Sequence, residues 1–117
     1  MSVRDRVIWP AVIRYEGDDE LTYIGSAEEW KRDAESHLYH HTGDDRLIDN
    51  RGRIYRIEHQ DKQITISENT DRCITLDDFI RLVRIHASSA HQCCIEKINF
   101  RTIAEGIELI AGMKRHD

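Results

Sequence analysis

Carboxylates and imidazoles are the residues of this chain best able to do chemistry, and they fall into a few clusters. Glu16-Gly17-Asp18-Asp19-Glu20 crowds acidic side chains around one glycine. Carboxylate oxygens are ligands for hard cations, but a calcium loop needs more oxygens at fixed offsets, and the EF-hand pattern is absent. The motif therefore reads as a turn, in which glycine supplies positive φ and aspartate bonds to nearby backbone N–H groups. A second Gly-Asp-Asp at Gly43 to Asp45 reads the same way. His37, His40 and His41 form one histidine group, and His86 and His91 lie near Cys93 and Cys94. Only His37 and His41 keep the H-x-x-x-H spacing of a zinc site, and no H-E-x-x-H glutamate accompanies them, so solvated loop histidines are the favoured reading. His91 could lower the pKa of a thiol at Cys93-Cys94, but adjacent residues diverge on a strand or helix, which favours structural cysteines.

Other reaction classes find no support. Nucleophile elbows, P-loops and G-x-G-x-x-G turns do not occur, so no catalytic residue and no cofactor is assigned. Arg51, Arg53, Tyr55 and Arg56 around Gly52 form a basic stretch that could touch RNA. The aromatic signature of an RNA-recognition sheet is missing, and a net charge of -5 repels phosphate backbones, so nucleic acid is not an expected partner. The three cysteines form no C-x-x-C pair and are expected as reduced thiols in a cytoplasmic protein. The apolar run Val7 to Ile13 is interrupted by Pro10 and closed by Arg14, and no stretch approaches the roughly 20 apolar residues that span a bilayer.

These residues need a scaffold. At 39% hydrophobic and 33% charged, the chain can fill one modest core beneath a well-solvated surface, giving one domain over residues 1–117. Alternation predicts a strand from about Trp9 to Glu16, with Trp9, Ala11, Ile13 and Tyr15 on one face and Pro10 at its start or on a sheet edge. The acidic turn then leads to a partner strand, Leu21 to Gly25, closing a hairpin. Ser26-Ala27-Glu28-Glu29 is a capping box opening a helix with Ala27, Trp30, Ala34 and Leu38 as its buried stripe, ending in a loop from Tyr39 to Asp45.

Leu47 and Ile48, the turn Asp49 to Gly52, and Ile54 to His59 predict a second hairpin. Ile64 to Ser67 adds a strand, with a polar exit loop from Ser67 to Arg72. Thr75 caps a second helix carrying Leu76, Phe79, Ile80, Val83, Ala87 and Ala90, with Ile85 on its polar side. Asn99 is expected to cap a third, where Phe100, Ile103, Ala104, Ile107, Ile110 and Ala111 form the stripe and Gly106 marks a close backbone approach. His91 to Ile98 suits either a helical turn or a strand. The order ββαβββαα predicts an α+β fold, with an antiparallel sheet of about five strands and helices packed on one face.

The hairpin sequence WPAVIRYEGDDELTYIGS resembles the N-terminal signature of a small family of short gammaproteobacterial proteins with no assigned function. That resemblance implies a bacterial cytoplasmic single-domain protein and supplies no catalytic residues. The expected function is a non-enzymatic protein-binding or regulatory module, its partner either another protein or a second copy. Asp18, Asp19 and Glu20 at the hairpin tip are the candidate contact residues. Leu109 and Met113, off the main stripe of the last helix, are two more. The alternative is a small metal- or ligand-dependent protein using the acidic turn or His37 and His41.

Overall fold

A computed structural model describes residues 6–17, 19–32, 45–60, 63–90, 92 and 95–114. Strand β1 (Ala11–Arg14) follows a cis Trp9-Pro10 peptide, and β2 (Leu21–Ile24) returns beside it. Gly17, at φ 80°, provides the positive φ in the intervening turn. Helix α1 begins at Ala27 and is described to Arg32, and β3 (Arg46–Ile48), β4 (Arg53–Gln60) and β5 (Gln63–Cys73) follow as a meander. Helix α2 (Leu76–Ser89), a 3-10 turn (Ile95–Lys97) and helix α3 (Ile103–Lys114) complete the described chain. The five strands form one antiparallel sheet in the order β2-β1-β3-β4-β5. The expected α+β class and strand count are both observed.

Strand β1 lies inside the sheet and is buried on both sides: Ala11, Val12 and Ile13 are each 0% exposed. Each face therefore needs its own cover. On one face the register row Ile13, Leu47 and Tyr55 packs with Ala11, Ile57 and Trp30 of α1. On the other the row Val12, Ile48 and Ile54 meets Phe79 and Val83 of α2 and Ile107 and Ile110 of α3. Helices α2 and α3 share one face as expected, whereas Trp30 of α1 belongs to the cluster on the opposite face. The reason lies in β1, whose place inside the sheet leaves no solvated side once Val12 is as buried as Ile13. Burying a large apolar side chain such as Trp30 is worth roughly 1.5–3 kcal/mol.

The capping boxes set the helix starts. Ser26 Oγ accepts from the Glu29 N–H at 3.2 Å, and the Glu29 carboxylate accepts from the Gly25 N–H. Thr75 Oγ1 accepts from the Asp78 N–H at 3.1 Å. For α3 the cap is Thr102 and not Asn99: Thr102 Oγ1 accepts from the Glu105 N–H at 3.1 Å, while Asn99 Oδ1 accepts from the neighbouring Phe100 N–H. Thr102-Ile103-Ala104-Glu105 is itself a capping-box sequence, and it lies closer to the apolar stripe it opens. Gly106 sits where the backbone of α3 approaches two rings. A Cβ there would lie 2.6 Å from atoms of both Phe79 and Phe100, whose rings meet edge to face at 5.8 Å.

One segment departs from expectation, and one takes the helical of its two expected forms where it is described. The residues read as an exit loop, Ser67 to Arg72, continue β5, which re-pairs at Cys73 opposite Arg53 after a register irregularity. The ambiguous region before α3 contains the 3-10 turn. There Arg84 of α2 donates through Nε to the Ile98 carbonyl at 3.0 Å.

Candidate functional site

Sheet periodicity places three arginines side by side. Arg14, Arg46 and Arg56 are direct register partners across β1, β3 and β4. Each is two residues along its strand from Val12, Ile48 or Ile54, so all three stand on the face that carries α2 and α3. Arg14 and Arg56 are exposed and Arg46 half-buried. Neighbouring strands are about 4.8 Å apart, and like charges directly opposite one another oppose sheet pairing. A protein with an acid excess nonetheless carries three cations in one row.

Arg14 also forms part of the rim of a cleft of about 660 Å³ between this face and α2. Its apolar floor is made of Ile54, Ile74, Leu82 and Ile85, the last 40% exposed. Arg72 of β5 and Arg81 of α2 add two more cations to the rim, together with Cys73 and Asp78. Arg81 lies 3.8 Å from Asp78 and Arg56 lies 3.9 Å from Glu58, both on exposed surface, where such pairs hold a side chain only loosely. Arg46 donates through Nη1 to the Asp45 carbonyl at 2.9 Å. Among the described residues Arg14 and Arg72 make no ion pair. Guanidinium groups present planar forks of N–H donors that stay charged at any physiological pH, which suits them to carboxylates and phosphates.

The residues expected at a site are dispersed. Asp19 and Glu20 are exposed at the β1–β2 turn, and Asp18 lies outside the described residues. Met113 packs against the helix-side core, whereas Leu109 is 40% exposed. Leu109 lines a second, shallower groove of about 450 Å³ with Phe100, Ala104, Glu105 and Glu108. His37, His41, His91, Cys93 and Cys94 lie outside the described residues. Among the described residues no group of three or more His, Cys, Asp or Glu side chains could hold a metal ion.

Three buried polar residues escaped sequence reasoning, and each ties elements together. Asp49 is 0% exposed. Its Oδ1 accepts from the Arg51 and Arg53 N–H groups, both at 2.9 Å, and its Oδ2 from the Tyr55 hydroxyl at 3.2 Å and the Ile8 N–H at 3.4 Å. Burial pushes the Tyr55 phenol above its ordinary pKa near 10. The Asp49 carboxylate pushes the same way, against a smaller opposing effect of Arg53. Asp45, also 0% exposed, accepts from the Glu16 N–H at 2.8 Å and so joins the end of β1 to the start of β3. His86 is 8% exposed, and its Nδ1 accepts from the Leu21 N–H. A sequence signal existed for two of them: Asp49 opens a turn where an Asx bond is usual, and His86 falls three residues after Val83 on the apolar stripe.

Fold and site together define a small α+β protein whose helix-bearing sheet face ends in an arginine row beside an apolar cleft. The chain belongs to the DUF4144 family, described as a protein structure with unknown function, whose model matches residues 9–110. It is similar to a protein of the bacterium Shewanella amazonensis solved by NMR, with 20% sequence identity and a TM-score of 0.69 over 92% of this chain and 90% of that one. At that identity the likeness concerns the fold. No curated protein matches the chain. No helix among the described residues is long and apolar enough to cross a membrane.

Proposed function

We propose that this protein is a non-enzymatic protein-binding module whose contact surface is the arginine-rimmed cleft on the helix side of the sheet. The in-register row Arg14, Arg46 and Arg56 carries the reading. Like charges opposite one another across the strands weaken pairing, and an acidic partner offsets this most at Arg14, which makes no ion pair among the described residues. The aliphatic floor beside the row supplies the apolar contact on which interface affinity depends. Leu109, the exposed acidic turn and a cytoplasmic setting remain part of the proposal as a secondary contact, a hairpin-tip contact and the expected compartment.

The test is affinity capture with the native protein and with an Arg14→Glu/Arg56→Glu variant, followed by cross-linking to locate the contact. The expected result is a partner protein that cross-links beside the cleft and is lost with the charge reversal. Retention of no protein, or retention indifferent to the reversal, would remove the reading.

A further inference from the structure

Resting on that reading, we infer that the cleft's occupant is an extended acidic peptide segment with an aliphatic anchor, its carboxylates on the arginine row and its anchor in the cleft. The two features adjoin, because Arg14 belongs to both. Arg14 and Arg56 stand two strand spacings apart, about 10 Å at the usual separation. A segment crossing the strands in extended form turns successive side chains to opposite faces, so carboxylates two residues apart, about 7 Å, face the row together and the long arginine side chains reach across the rest of the span. An aliphatic side chain further along the same face of the segment then meets the floor formed by Ile54, Ile74, Leu82 and Ile85.

Charge complementarity selects this occupant. Arg14, Arg46, Arg56, Arg72 and Arg81 surround the area; Asp78 and Glu58 lie beside Arg81 and Arg56, while Arg14 and Arg72 make no ion pair among the described residues. Among the described residues no aromatic ring lines the cleft to stack a base, and its floor is aliphatic, so a peptide suits it better than a single-stranded nucleic acid. Such a segment gains from bidentate guanidinium–carboxylate bonds at the rim while its anchor leaves water.

Fluorescence anisotropy with three labelled ten-residue peptides tests the inference. The first carries two glutamates two residues apart, followed by a pair of leucines; the second has lysine for each glutamate, and the third serine for each leucine. The first is expected to bind, and the second to show no binding. Arg14→Glu/Arg56→Glu should weaken the first about tenfold or more, consistent with losing charge-assisted bonds. The lysine peptide should gain affinity for that variant. Ile85→Ser, at an exposed position that leaves the core intact, should weaken the first peptide toward the level of the third. Equal binding of all three peptides, indifference to both variants, or tighter binding of a single-stranded oligonucleotide would overturn the inference. Capture of a partner through the cleft with no affinity for the acidic peptide would reject this ligand class and leave the binding-module reading standing. Peptide binding without any captured protein would reject that reading instead.

Discussion

The backbone N–H of Leu21 donates to Nδ1 of His86 at 2.8 Å, a bond that joins edge strand β2 to helix α2 across 65 positions of sequence. An edge strand presents outward N–H groups that must find a partner or water. Here a helix side chain supplies the partner, and Nδ1 can accept only while it carries no proton. His86→Leu preserves the apolar stripe and removes the acceptor. It is expected to cost about 1–3 kcal/mol by urea denaturation, with faster hydrogen exchange at the Leu21 amide. Unchanged stability together with unchanged exchange would show that the bond contributes nothing.

Gly106 and Gly112 lie in the same helix and predict opposite signs. At Gly106 an added Cβ meets Phe79 and Phe100, and overpacking of this kind costs about 1–3 kcal/mol even against alanine's better helix propensity. At Gly112 nothing lies within 4 Å, so alanine should stabilise by up to about 1 kcal/mol. Thermal denaturation of the two variants checks the pair, and the same sign for both would contradict the packing described.

Asp49 is predicted to be the most sensitive polar position of the β3–β4 turn. Asp49→Ala leaves the Arg51 and Arg53 N–H groups and the Tyr55 hydroxyl without their acceptor, a loss of roughly 3 kcal/mol or more. Asp49→Asn keeps one acceptor oxygen and should cost less. Denaturant midpoints should rank native above asparagine and asparagine above alanine.

Tyr55 gives the stability a dependence on alkaline pH. Its folded pKa lies above the unfolded value near 10, so the folded state holds this proton more tightly. The corresponding stability is fully present below about pH 10 and is lost as pH rises through the folded value. Absorbance at 295 nm should show one tyrosine ionising later than an exposed phenol, and Tyr55→Phe should abolish that late step. Ionisation of every tyrosine near the ordinary value would refute the assignment.

Much of the scaffold was legible in residue order, for local reasons. The second hairpin follows from the turn chemistry of Asp49-Asn50-Arg51-Gly52, and Gly52 does adopt φ 86°. The Ser26 and Thr75 caps follow from side chains that can reach only their own helix. Gly106 stood out as a helix-weakening residue, and its cost is explained by two rings resting on it. The α3 cap was misplaced by three residues because Asn99 and Thr102 are both competent cap types, and choosing between them depends on where the preceding 3-10 turn ends.

The sequence by itself determined the α+β class, the five strands, the starts of α1 and α2 and the apolar stripes of α2 and α3, because period and capping are set by neighbours along the chain. Ala34 and Leu38 of the stripe expected for α1 lie outside the described residues. Only the tertiary structure decided that β1 pairs with β3, joining the two hairpin units into one sheet. That decision buried β1 on both faces and drew Trp30 to the side opposite α2 and α3. It also set Arg14, Arg46 and Arg56 shoulder to shoulder, though they are far apart in the chain. Strand order and register are long-range choices made by the whole core at once, so a surface assembled from three strands has no local signature.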